Sequence, residues 1–116
     1  MSESINGFYG AYLTGRASQG FAMLVFRDGV IVGVDVAGVK FDGTYRDTGS
    51  GFSIKLTVSV PPNMALIQGA TSGPETENSK LEFQLPADFL TQPFIRIEAA
   101  HGPVNAKLTK LRELHD

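Results

Sequence analysis

The chain has no cysteine, no tryptophan, only two histidines and no run of lysine or arginine. Each shortage closes a class of mechanism. Without cysteine there is no disulfide staple and no thiolate ligand for a metal, and the composition suits a reducing compartment. His101 precedes Gly102-Pro103 in an expected turn, and His115 stands beside the last residue. Neither has a ligand cluster or a nucleophile near it, so both are read as solvated surface histidines. The formal charge is −2 and the pI is near 5.6. A protein that neutralises phosphates needs a basic stripe, so nucleic acid is not an expected partner. No apolar run approaches the roughly 20 residues of a membrane-spanning helix. The opening Met1-Ser2-Glu3-Ser4-Ile5-Asn6 carries neither the basic nor the apolar part of a signal peptide. The expectation is a cytoplasmic protein without membrane contact.

What the chain does have is glycine between short apolar runs, the punctuation of an all-β protein. At 116 residues it forms one domain, 1–116, with room for a single core. Eight strands are expected, at 7–14, 19–27, 30–37, 39–46, 51–60, 80–85, 94–100 and 105–112. Phe52–Val60 is the clearest: Ile54, Leu56 and Val58 alternate with Ser53, Lys55 and Thr57, so one face is buried and the other wet. Leu81, Phe83 and Leu85 repeat the pattern, as do Ile95, Ile97 and Ala99. Pro61-Pro62 ends the fifth strand, because proline cannot donate to a ladder. Residues 64–69 are left open as a short strand or bend, 70–79 read as a polar surface loop, and 86–90 as a short helical turn. Eight antiparallel strands with one buried face close most economically into a barrel, with a sandwich as the competing arrangement.

Two turns set the register of the second to fourth strands. Asp28-Gly29 suits a two-residue type I′ turn, pairing Arg27 with Val30 and Val25 with Val32. A similar turn at Ala37-Gly38 would pair Val36 with Val39 and Val34 with Phe41. That register puts Met23, Val25, Val30, Val32, Val34, Val36, Val39, Phe41, Gly43 and Tyr45 on the core face. Lys40, Asp42 and Thr44 then face outward, with Asp35 opposite Lys40 as an ion pair. The outer face also receives Ala22, Leu24, Phe26 and Ile31, and a contiguous exposed apolar patch marks a contact. Leu24, Phe26 and Ile31 are therefore the expected anchors of a homodimer. Val32, Val34, Phe41, Tyr45, Ile54 and Leu56 are the expected interior lining. A slip of one residue in either turn would exchange the two faces, yet one face would still carry surplus apolar residues.

No constellation rises to a catalytic or metal site, and no cofactor is implied. Asp35 and Asp42 are the best-placed carboxylates, and both are read as a strand ion pair or turn acceptor. Gly49-Ser50-Gly51 lies between two strands with no Lys-Ser/Thr following, so it is a hairpin rather than a phosphate loop. Phe8, Tyr9, Tyr12, Phe21, Phe26, Phe41, Tyr45, Phe52 and Phe83 lack interleaved basic residues and are read as core. Because Phe41, Tyr45 and Phe52 are bulky, a narrow or absent cavity is expected.

Asn6-Gly7-Phe8-Tyr9, Gly20, Asp28-Gly29, Gly33-Val34-Asp35, Asp42-Gly43-Thr44-Tyr45, Leu81-Glu82-Phe83-Gln84-Leu85-Pro86 and Gly102-Pro103-Val104-Asn105-Ala106, in that order, resemble the GrlR-like negative regulators. The resemblance covers nearly the whole chain. It implies a lipocalin-like (calycin-type) β-barrel, a homodimer without enzymatic activity. It also implies regulation by sequestering a transcriptional activator of type III secretion genes through an acidic run in an exposed turn. The matching turn here, Arg46-Asp47-Thr48-Gly49-Ser50-Gly51, holds one carboxylate. The expected function is thus a non-enzymatic regulatory barrel acting through a protein partner, with a carrier of a small apolar ligand as the alternative.

Overall fold

The computed structural model describes residues 5–114; His115 lies outside them. Eight strands follow one another in the order β1 (Gly7–Thr14), β2 (Gln19–Arg27), β3 (Val30–Asp35), β4 (Lys40–Asp47), β5 (Gly51–Val60), β6 (Glu77–Pro86), β7 (Ile95–Ala99) and β8 (Gly102–Arg112). They form one antiparallel sheet in the order β6-β5-β4-β3-β2-β1-β8-β7, curled until its two edges, β6 and β7, lie near each other. The barrel expected from the alternation is present, nearly closed, with a seam where β6 and β7 approach without a ladder.

Inward residues follow the alternation on β5, where Ile54 and Leu56 are buried, and on β6 and β8, where Leu85, Val104, Ala106 and Leu108 are buried. The Asp28-Gly29 turn is type I′, with φ of 48° and 87°, and pairs Val25 with Val32 as expected. The next turn differs from the expectation. Three residues, not two, lie between the paired Asp35 and Val39: the Asp35 N–H donates to the Val39 carbonyl at 2.9 Å, and Gly38 takes a φ of 102°. A three-residue hairpin loop ends in such a left-handed residue, a position that favours glycine. Asp35 Oδ1 caps the loop by accepting from the N–H groups of Ala37 (2.8 Å) and Val39 (2.9 Å).

That single extra residue exchanges the faces of β2 and β3. Lys40 stands opposite Val34, and Phe41 opposite Gly33. Phe41, Gly43 and Tyr45 keep their expected inward parity, while Ala22, Leu24, Phe26 and Ile31 turn into the core. Leu24, Phe26 and Ile31 are therefore interior residues and not interface anchors. Val30, Val32, Val34 and Val36 face out, 49%, 46%, 48% and 84% exposed, with Met23 beside them. Val32 and Val34 thus do not line the interior. Asp35, opposite Ala22, and Lys40, opposite Val34, lie on different faces, so the expected ion pair between them does not form. Of the aromatic residues read as core, Phe8, Tyr12 and Phe21 have outward parity; Tyr12 is exposed and meets Phe21 on the outer face, ring centroids 5.0 Å apart.

Why the apolar face of β3 points outward is visible in its partners. The inward positions of β3 and β4 include Gly33 and Gly43, where a side chain would strike the neighbouring strand. A methyl on Gly43 would collide with the Lys55 carbonyl and Leu56, and one on Gly33 with Leu24 and the Met23 carbonyl. Small inward residues let the sheet coil tightly there.

Candidate functional site

The two ends of the barrel differ. At one end, the floor, five rings close on one another. Centroid distances are 4.9 Å for Tyr9–Phe26, 5.3 Å for Phe26–Tyr45, 6.4 Å for Tyr45–Phe52, 6.1 Å for Phe52–Phe89 and 6.1 Å for Phe89–Tyr9. Such tilted and edge-on contacts are the favoured arrangements of aromatic quadrupoles. Phe89 comes from the 86–90 turn, where its N–H donates to the Pro86 carbonyl at 3.1 Å, and it is 2% exposed. Its role was missed in the sequence, where a single phenylalanine in a turn carries no periodicity.

The floor is also where the strands are tied together. Asn6 Oδ1 accepts from the Asp28 N–H (2.9 Å) and from the Tyr45 hydroxyl (2.9 Å), and Asn6 Nδ2 donates to Asp28 Oδ1 (3.0 Å). The Tyr9 hydroxyl donates to the Ile5 carbonyl at 2.7 Å. Burial first, then the charge of Glu113 and the nearby Tyr45, push the Tyr9 phenol up to about 12.

The other end is open. Because aromatic bulk collects at the floor, the upper half of the interior keeps a cavity of about 550 Å³, where a narrow or absent one was expected. That volume falls within the range of small-molecule sites. Its wall includes Phe41, Ile54 and Leu56, as the sequence predicted, together with Leu24, Phe26 and Ile31. Tyr45 belongs to the floor.

A flap crosses the mouth. Residues 63–73 fold back on themselves: the Leu66 N–H donates to the Ala70 carbonyl (2.8 Å), and Ala65 bridges Thr71. Ser72, buried, donates through Oγ to the Pro61 carbonyl (2.7 Å) and accepts from the Met64 N–H (2.8 Å). The flap rests on the β1–β2 turn, where the N–H groups of Ala17 (2.8 Å) and Ser18 (3.1 Å) converge on the Ile67 carbonyl. The expected polar loop at 70–79 is thus in part an ordered hairpin and in part the start of β6.

At the same end, His101 Nε2 contacts Glu77 Oε2 across the seam between β6 and the β7–β8 turn. His101 is half-buried rather than solvated, a placement that needs the barrel closure to be seen. Among the described residues no three His, Asp or Glu side chains gather as metal ligands would. Asp42 is exposed on the outer face of β4. No helix among the described residues is long and apolar enough to cross a membrane. Compared with known protein families, curated proteins and solved structures, the chain returns no match.

Proposed function

We propose that this barrel is a non-enzymatic binding protein that takes one small apolar ligand in its interior. The observation that supports this reading is the 550 Å³ cavity, walled by inward aliphatic residues and reaching the flap at the end opposite the aromatic floor. A cavity of that size lined this way favours an apolar guest, because each buried methylene contributes roughly 0.8 kcal/mol. Titration with N-phenyl-1-naphthylamine, an uncharged dye that brightens in apolar surroundings, tests it. One saturable site per chain is expected; a linear, non-saturating response would overturn the reading.

A second reading, an interaction module in the manner of the regulators the chain resembles, is favoured by a separate observation. Met23, Val30, Val32, Val34 and Val36 form an exposed apolar strip on the outside of β2 and β3. Patches of this kind mark contacts, and a twofold axis lets the strip cover its own copy. The proposal is a cytoplasmic homodimer on this face, in place of the one first expected through Leu24, Phe26 and Ile31. Val34→Glu should then yield a folded monomer by sedimentation. A parent chain already monomeric at high micromolar concentration would contradict it. The turn holding Asp47, whose Oδ1 accepts from the Gly49 N–H at 2.8 Å, lies at the floor, apart from both the strip and the mouth.

A further inference from the structure

The polar groups that face the cavity are not a random sample of the surface. On β6, Glu77, Ser79, Leu81 and Phe83 have inward parity, opposite Val60, Val58, Leu56 and Ile54. On β3, Asp35 has inward parity opposite Ala22. Both carboxylates line the cavity. Among the described residues, the only lysine or arginine along it is Lys80, which has outward parity on β6 and is exposed. Glu77 is matched by His101, and Asp35 by turn N–H groups, so each carboxylate is partnered within the protein. Arg16, on the β1–β2 turn beside the mouth, is exposed and is not part of the cavity wall, so among the described residues no lysine or arginine turns into the cavity toward an anionic head group. The remaining polar residues there, Ser18, Gln19, Gln68, Thr71 and Ser79, are neutral.

We infer that the guest is an uncharged single-chain amphiphile, such as a long-chain alcohol or a monoacylglycerol, and that the mouth discriminates against carboxylate and phosphate heads. The inference rests on the interior-ligand reading above. An apolar chain would run down among the aliphatic walls toward the aromatic floor, leaving its head at the mouth. A hydroxyl there meets groups that both donate and accept. An ionised carboxylate would lose hydration beside two like charges and gain no counter-ion, which disfavours its charged form.

Calorimetric titration of the whole chain with 1-dodecanol and with dodecanoate, at pH 8 and below the micelle threshold, separates the possibilities. The alcohol should bind about tenfold tighter, the equivalent of one unit of pKa perturbation between like charges. Glu77→Gln should narrow that gap by improving dodecanoate while leaving dodecanol unchanged. If losing the contact with His101 unfolds that variant, Asp35→Asn carries the same test, since an amide oxygen still caps the turn. Dodecanoate binding as tightly as the alcohol, with the affinity lost in Lys80→Gln, would overturn the inference and show Lys80 reaching over the mouth. If neither compound binds, the interior-ligand reading fails with it.

Discussion

At the residue scale, the interior is held by a few side chains whose removal has a predictable size. Leu56 is 9% exposed and packs between β4 and β6, opposite Gly43 and Leu81. Leu56→Ala should cost about 2–5 kcal/mol in denaturant unfolding, the range for deleting a buried aliphatic side chain. Tyr9 makes a pH prediction. Its phenol titrates near 12 in the folded chain against the ordinary 10. Between those values the unfolded chain has released a proton that the folded chain keeps, so stability is intact below pH 10 and falls as pH rises to 12. Tyr9→Phe should flatten that part of the stability–pH curve. It should also cost about 0.5–1.5 kcal/mol at neutral pH through the lost bond to Ile5. The inward parity of Ile54, Leu56 and Phe41 was legible in the sequence because polar neighbours alternate with them. Phe89 and His101 were not, because both sit in turns whose surroundings come from strands far away in sequence.

At the element scale, all eight strands were legible, with ends displaced by up to three residues at β6 and β8, and one turn was not. The strands announce themselves by alternation and by the glycine and proline that end them. Asp28-Gly29 identified its hairpin because both residues tolerate positive φ. The β3–β4 connection was harder, since Val30, Val32, Val34 and Val36 outnumber the apolar residues on the opposite parity of β3, Ile31 and Gly33. Counting apolar residues therefore favours the wrong face. The signal that points the other way is the spacing of Asp35 and Gly38: an aspartate that caps a turn, followed by a glycine at the left-handed position, specifies a three-residue loop. The absence of native cysteine makes the face assignment directly testable. A single cysteine at Val32 should react with a thiol reagent at close to the rate of the unfolded chain, and one at Leu24 should be protected in the folded state. Equal rates, or the reverse order, would return the faces to the two-residue turn. Phe26→Glu should now destabilise the monomer, since it buries a carboxylate among Tyr9 and Tyr45.

At the scale of the whole molecule, the barrel is asymmetric from end to end. The connections after β2, β4 and β6 gather at a floor filled by aromatic rings, and those after β1, β3, β5 and β7 surround a mouth under a flap. The sequence contained the volume of Tyr45 and Phe52 but not their place along the barrel axis. Of the three rings expected to fill the interior, Tyr45 and Phe52 collect at one end, while Phe41 lines the cavity at the other. The seam between β6 and β7, bridged at the mouth by Glu77 and His101, is where the barrel has least backbone pairing to hold it shut. Native mass spectrometry of the intact chain, equilibrated with an uncharged apolar guest, tests the open interior most directly. The account predicts one guest retained per chain. A spectrum showing only the bare chain at saturating guest, or a graded series of adducts typical of surface adsorption, would contradict it.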